Sequence, residues 1–345
     1  RIRAFMVQLR NVLNKEECLK KLAQEGFKRI TLSFYRYVKI AHPHELRDQL
    51  YREWSELGVF GRVYLAREGI NAQISLPEAN FEAFRACLET HEPFEGMYLN
   101  VGLEQGQSFY KLAIAVKEQI VTDGLPEDSY DLSQVGNHLT AEEFNRALED
   151  AGTLAVDMRN FYESRIGRFE GALCPDSNTF KEELPMALEA LKGKEDAKVL
   201  LYCTGGIRCE KASAYLRHHG FKDVNQLRGG IISYAHEIRQ KGLPSRFKGR
   251  NYVFDERISE QVTPEILSTC DQCEEACDLY TNCNNATCNL LFLQCAGCAE
   301  RLRGCCGTAC QKVYELPEQE RRAYYAKQKQ SDYGVYVSRI RPRLK

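Results

Sequence analysis

The sequence predicts a multidomain chain of mixed α/β and α+β class, and three observations carry that expectation. Residues 1–132 follow a β-α-β-β-α-β order of apolar patterns, which is the order of a ferredoxin-like sandwich. Residues 138–242 alternate strand and helix signals, as a parallel sheet covered on both faces requires. Ten of the 15 cysteines fall between Cys270 and Cys310, which sets off a cysteine-rich module. A chain of 345 residues with 43% hydrophobic content can bury two or three cores.

In the first domain Asn14 caps a helix that runs through Glu25 and stops at Gly26. Ile30, Leu32 and Phe34 alternate with Thr31 and Ser33, the period of a half-buried strand. A helix follows from Pro43 to Leu57, with Pro43 near its start. Strands at Arg62–Ala66 and Asn71–Leu76 join through Glu68 and Gly69. A helix from Glu78 to Leu88 and a strand over Phe109–Val116 complete the order. Trp54, Phe60 and Tyr64 read as core. His42 and His44 have no acid at the spacing of a two-histidine, one-carboxylate iron triad and read as solvated. Lys15, Lys20, Lys21, Lys28 and Arg29 read as a solvated charged face, with phosphate contact the alternative. No residue of this domain carries a catalytic signal.

Residues 123–137 are rich in turn formers and read as a linker. In the second domain Thr140 and Glu143 form a capping box for a helix that Gly152 closes, and Thr153–Val156 is an apolar strand. A helix spans Thr179 to Leu191. Then comes a short apolar strand from Val199, a loop through Cys203, Thr204, Gly205, Gly206, Ile207 and Arg208, and a helix ended by Gly220. Loop amides and the helix N-terminus, worth about half a positive charge, converge on the Cys203 sulfur. A free thiol with a pKa near 8.5 is only ~3% ionised at neutral pH, and a fall of one to two units makes it largely reactive. The alternative is a buried structural cysteine at a strand end.

Cys203 to Arg208 is a Cys-x4-Arg loop and resembles that of rhodanese-type sulfurtransferases, whose first loop cysteine carries a persulfide. Related phosphatases of that fold use a loop one residue longer, whereas here the next position is Cys209. Val224 to Ile231 resembles the final rhodanese strand and its Gly-Gly turn, and Asp157-Met158-Arg159 the domain's Asp-x-Arg. Arg168 stands where rhodanese domains typically have histidine. The longer string from Tyr202 to Lys211 resembles the bacterial tRNA uridine-34 5-hydroxylase family. The likeness extends to Arg67-Glu68-Gly69-Ile70-Asn71-Ala72, Phe254-Asp255-Glu256-Arg257, Thr281-Asn282-Cys283 and Gly304-Cys305-Cys306. It implies a central rhodanese-like domain and oxygen-dependent hydroxylation of the wobble uridine of tRNA. Molecular oxygen would be the co-substrate and Cys203 the catalytic residue.

Residues 243–269 read as a basic connector, loop-like from His236 to Arg257. Its Arg246, Lys248 and Arg250, interleaved with Phe247, Tyr252 and Phe254, suit RNA, and a linker packed across two domains is the alternative. The module over 270–310 holds Cys270, Cys273, Cys277, Cys283, Cys288, Cys295, Cys298, Cys305, Cys306 and Cys310. Its two Cys-x2-Cys pairs are metal-binding turns, with zinc the first reading, disulfides or a thiol relay the second and an iron–sulfur cluster the third. No histidine follows His236, so any zinc site here is all-cysteine. Residues 311–345 form a basic tail.

A net charge of −1 gives no global attraction to nucleic acid, so contact with tRNA must come from local patches. No apolar run is long enough to span a membrane. The chain begins at Arg1, shows no signal-peptide core, and is expected in the cytoplasm. No flavin or nicotinamide fingerprint occurs. From the residues alone, Cys203 is a nucleophile, Arg208 orients the loop or attracts an anion, and Cys209 is either a resolving thiol or a core residue. The rival function is sulfur transfer from a Cys203 persulfide to a small molecule or a protein. A non-enzymatic RNA-binding adaptor is the third.

Overall fold

The computed structural model describes residues 9–328. Helix α1 (Lys15–Ala23) starts at Asn14, and Asn14 and Glu17 cap each other's backbone amides. Strand β1 (Arg29–Tyr37) leads to α2 (Pro43–Glu56), with Pro43 at its start. Strands β2 (Phe60–Ala66) and β3 (Gly69–Pro77) pair antiparallel. Gly69 has φ +146°, and a Cβ there would lie 2.0 Å from the Arg36 carbonyl oxygen. Next come α3 (Phe81–Glu89), β4 (Asn100–Val101) and β5 (Leu112–Val116).

These five strands lie in the order β4-β1-β3-β2-β5. Leu32, Phe34, Val63, Ile70, Ala72 and Ile74 alternate onto one face and pack against Trp54 and Phe84 from the helices. The sequence places the closing strand at 109–116. Instead the two-residue β4 closes the unit beside β1, and β5 adds a fifth strand parallel to β2 on the far edge. Two residues are too few for an apolar alternation to register.

The second domain runs β6 (Asn137–Leu139), α4 (Ala141–Glu149), β7 (Leu154–Asp157), α5 (Phe161–Ser164), β8 (Gly167–Phe169), α6 (Phe180–Ala190), β9 (Lys198–Tyr202), α7 (Ile207–His218), β10 (Asp223–Leu227) and α8 (Gly230–Lys241). Its sheet is parallel, in the order β6-β10-β9-β7. Phe180, Leu184 and Leu216 from α6 and α7 pack on one face; Phe144, Ile231 and Tyr234 from α4 and α8 pack on the other.

The stretch expected as a loop-like connector is structured. Helix α8 continues to Lys241, and β11 (Phe247–Tyr252) joins β12 (Ser259–Gln261) and β8 in a sheet of order β12-β11-β8. Phe247 lies opposite Phe169 in register, and both rings are fully buried. That burial outweighs the basic residues, which face outward. The chain continues through β13 (Tyr280–Asn282), β14 (Leu291–Leu293), α9 (Ala296–Leu302), α10 (Thr308–Tyr314) and α11 (Glu318–Gln328). The cationic end of the expected tail, 339–345, lies outside the described residues. Among the described residues no helix is long and apolar enough to cross a membrane.

Lys211 on α7 fixes how the first two domains meet. It is 1% exposed, and its Nζ lies 3.0 Å from Glu68 in the β2–β3 turn and 3.1 Å from Asp123 in the linker. It also donates to the Val121 carbonyl at 2.9 Å. Lys211→Met leaves two acids facing an apolar group, and removing one member of a buried ion pair costs roughly 3 kcal/mol or more. A clear drop in the urea midpoint is expected; an unchanged midpoint contradicts this account.

Candidate active site

Strand β9 is apolar and buried from Val199 to Leu201 and ends at Tyr202, so Cys203 follows at the carboxyl edge of the parallel sheet, where open α/β sheets bind ligands. The thiol is 0% exposed. Gly206 caps α7 at φ +102°, and a Cβ there would come within 2.7 Å of the Tyr35 hydroxyl. The Gly206 amide donates to Cys203 Sγ at 3.1 Å. From behind, the Ile231 and Ile232 amides at the start of α8 donate to the Cys203 and Thr204 carbonyls at 3.0 and 3.2 Å. Gly230 permits that approach, since its Cβ would sit 2.5 Å from the Thr204 oxygen.

Burial alone would push the Cys203 thiol up. The Cys209 thiol donating to it, the Arg208 charge, and the backbone amides of Arg208 and Gly206 outweigh burial and bring its pKa down to about 6. Burial and its bond to Cys203 hold Cys209 well above the usual thiol range, so Cys209 stays protonated beside an anion. Arg208 forms a two-pronged bond with the buried Glu163 of α5, at 2.6 and 2.8 Å. Thr204 Oγ1 lies 3.1 Å from the same carboxylate, and the Phe254 ring covers the guanidinium at 5.7 Å. Glu163 thus holds Arg208 against the loop, and the Arg208 charge also favours the Cys203 anion. Arg168, in the histidine position of rhodanese domains, donates to the Ser164 carbonyl at 3.2 Å.

Cys203 borders a cavity of about 600 Å³, walled by the loop on one side and by the first domain's sheet on the other. The domains are joined beside the loop. Tyr35 donates to Glu210 at 2.8 Å, His138 lies 2.8 Å from the same oxygen, and Tyr37 donates to the Ile207 carbonyl at 3.3 Å. Tyr64, expected in the core, lies on the other face of its strand and lines this cavity. The three expected RNA-contacting cations are elsewhere. Arg246 pairs with Glu149, Lys248 with Glu265 at 3.1 Å, and Arg250 donates to Ser259 at 2.8 Å. Their side chains, on and just before the central strand β11, reach two acids and a hydroxyl.

The ten clustered cysteines are not one group. Cys270, Cys273, Cys295 and Cys298 converge as one quartet, and Cys283, Cys288, Cys306 and Cys310 as a second. Cys277 and Cys305 stand outside both, buried in apolar packing. The two quartets repeat one backbone device: the Cys295 amide donates to Cys270 Sγ, and the Cys306 amide to Cys283 Sγ, each at 3.4 Å. Sulfur–sulfur separations of 3.5 Å (Cys273–Cys295), 3.7 Å (Cys288–Cys306) and 3.6 Å (Cys306–Cys310) are far from the ~2.05 Å of a disulfide. They approach the ~3.8 Å edge of a tetrahedron with 2.3 Å metal–sulfur bonds. Each quartet thus has the donors and spacing that could hold one metal ion.

Glu163, Tyr35 and Glu210 escape sequence reasoning. A capping box, Asn160 to Glu163, signals the helix that carries Glu163 but not its reach to Arg208, 45 residues on.

A thiol anion in a four-residue-spaced Cys–Arg loop, between a parallel strand and a helix, marks a rhodanese-fold protein. A rhodanese-like domain model matches residues 140–237, a UPF0176 acylphosphatase-like domain model residues 29–120, and a rhodanese C-terminal model residues 248–311. The chain belongs to the tRNA uridine(34) hydroxylase family. A protein of that name from Leptospira interrogans is 52% identical over 97% of this chain and 92% of its own length. One from Photorhabdus laumondii is 47% identical over 92% of this chain and 91% of its own. Among solved structures, a rhodanese-like domain protein from Staphylococcus aureus is 23% identical and covers 28% of this chain and 90% of its own, with a TM-score of 0.25.

Alkylation of Cys203 by iodoacetamide, followed by peptide mass spectrometry, is expected to rise with pH about a midpoint near 6. Below it the sulfur is protonated; at neutral pH roughly nine-tenths is thiolate. Cys209→Ala removes a donor and moves the midpoint up. A wild-type midpoint close to the roughly 8.5 of a free thiol contradicts the cradle.

Proposed function

We propose that this chain hydroxylates C5 of the wobble uridine, position 34, of tRNA in the cytoplasm, with dioxygen as co-substrate and Cys203 as the reactive group. One observation carries the reading: a buried cysteine, cradled by the Gly206 amide and lowered in pKa to about 6, borders a cavity within the roughly 300–1,000 Å³ range of small-ligand sites, in a chain of this family.

A thiolate suits this chemistry because C6 of uracil is the β-carbon of the C4 enone. Addition of the Cys203 sulfur forms an S–C6 bond and moves the π pair onto C5, the atom to be oxidised. Dioxygen gives one oxygen atom to C5. The other leaves as water, with two electrons and two protons from a thiol reductant. C5 then loses its hydrogen as a proton, the S–C6 bond breaks, and the ring is restored. Arg208 keeps the loop in shape through Glu163, and the Cys209 thiol steadies the sulfur as an anion between additions.

Deleting the gene should remove 5-hydroxyuridine-derived nucleosides from total tRNA, read by mass spectrometry. Wild type restores them, and Cys203→Ser falls by roughly 1,000-fold or more. Unchanged nucleosides in the deletion would refute the reading. The Cys-x4-Arg spacing favours one rival, transfer of sulfane sulfur from a Cys203 persulfide, with Cys209 as the resolving thiol. Turnover of thiosulfate with full tRNA modification in Cys203→Ser would move the assignment there.

Zinc is the ion we assign to the two quartets, since four thiolates per site match its preferred donors. Its part is to hold the C-terminal module folded. Elemental analysis should give two zinc ions per chain, falling to one in Cys270→Ser and one in Cys283→Ser. A metal-free protein with unchanged thermal stability would contradict this.

A further inference from the structure

The first domain's sheet has two faces, and only one is accounted for by its core. On the other, residues line up in two rungs across three strands. Ser33 lies opposite Gln73, which lies opposite Arg62; Tyr35 lies opposite Asn71, which lies opposite Tyr64. The Tyr35 end is docked on α7 through Glu210. The remainder of this polar face is left as the wall of the cavity that holds Cys203.

The charges on that wall are unequally committed. Four cations line the cavity: Arg62, Lys117, Arg208 and Arg257. Arg208 is held by Glu163, and Arg257 by Asp255 and Glu260. Arg62 and Lys117 are exposed and make no ion pair with any described residue. Lys117 Nζ lies 5.6 Å from the centre of the Tyr64 ring. Glu118, beside Lys117, is the acid left unpaired at the rim among the described residues. Two cations flanking an aromatic ring on an open sheet is an arrangement that takes phosphates and a base together.

The amides on the wall are oriented as well. Asn71 Nδ2 donates to the Ile120 carbonyl at 3.1 Å, which turns its Oδ1 toward Gln73, and Gln73 Nε2 donates to that oxygen at 2.6 Å. Gln73 is thereby left with a free acceptor, Oε1, and one free N–H. Uracil presents the complement, an N3–H donor beside a carbonyl acceptor. Ser33, its neighbour in register, has a hydroxyl with no hydrogen-bond partner among the described residues.

We infer that this wall holds the target nucleotide, with Arg62 and Lys117 on its flanking phosphates and the Gln73 carboxamide on the uracil edge. The inference rests on the tRNA reading above and assigns to the first domain the positioning of the substrate. Binding of an anticodon stem-loop RNA, with uridine or cytidine at the target position, tests it by fluorescence anisotropy against salt. Arg62→Gln with Lys117→Gln should flatten the slope of log affinity on log salt by about 1.4, from about 0.7 per single-strand phosphate contact. Arg62→Lys with Lys117→Arg should keep the slope. Gln73→Leu should bring the uridine-to-cytidine affinity ratio toward one while keeping the slope. In every variant the Cys203 alkylation midpoint near 6 reports an intact fold. An unchanged slope in the double glutamine variant, or an unchanged ratio in Gln73→Leu, overturns the inference alone. Failure of the wild type to bind either RNA overturns it together with the tRNA reading.

Discussion

A sulfur anion with no exposure to water has to be met entirely by protein donors, and that requirement shapes the middle of this molecule. Gly206 is left-handed so that its amide can reach the sulfur. Gly229 and Gly230 are left-handed so that α8 can press its first amides onto the loop carbonyls. Arg208 contributes positive charge, yet it is itself buried and needs Glu163, which is why a one-turn helix follows β7. Through Glu163 on one side and the first α8 amides on the other, the cradle reaches from α5 to α8. Buried polar networks hold their geometry when every member is satisfied.

The first domain meets the same constraint from outside. Tyr35 closes over the loop at Gly206 and bonds Glu210, while Lys211 beside it sits between Glu68 and Asp123. Two consecutive residues of α7 therefore fasten the sheet above the sulfur. A ferredoxin-like sheet with helices on one face has a bare polar face, and here part of that face roofs a cavity.

The loop half of the site was legible because it is local. Strand, glycines, cysteine, arginine and helix follow one another within about twenty residues, and each has a residue-level signal. The roof was not. Ser33, Tyr35, Tyr64 and Gln73 alternate with apolar neighbours, and alternation says only that one face is not core. What that face meets depends on contacts such as Tyr35 to Glu210, 175 residues apart. The short β4 and the basic β11 failed for different reasons. One is too brief to carry a period, and in the other aromatic burial prevails over charge. The Cys-x2-Cys turns were readable as pairs, whereas the partner of each pair, and the exclusion of Cys277 and Cys305, are settled by the fold of the β13–β14 hairpin and its flanks.

The lysine clasp between Glu68 and Asp123 has one more consequence. A joint closed by a desolvated ammonium does not swing open cheaply, so the roof stays down and the guest must do the moving. On the proposed reading, an anticodon loop then cannot slide in as a stacked strand and has to extrude a single base toward the sulfur. That extrusion costs least where bases are already unpaired, and the protein's preference for such a loop would begin with mechanics, before any hydrogen bond to the ring is made.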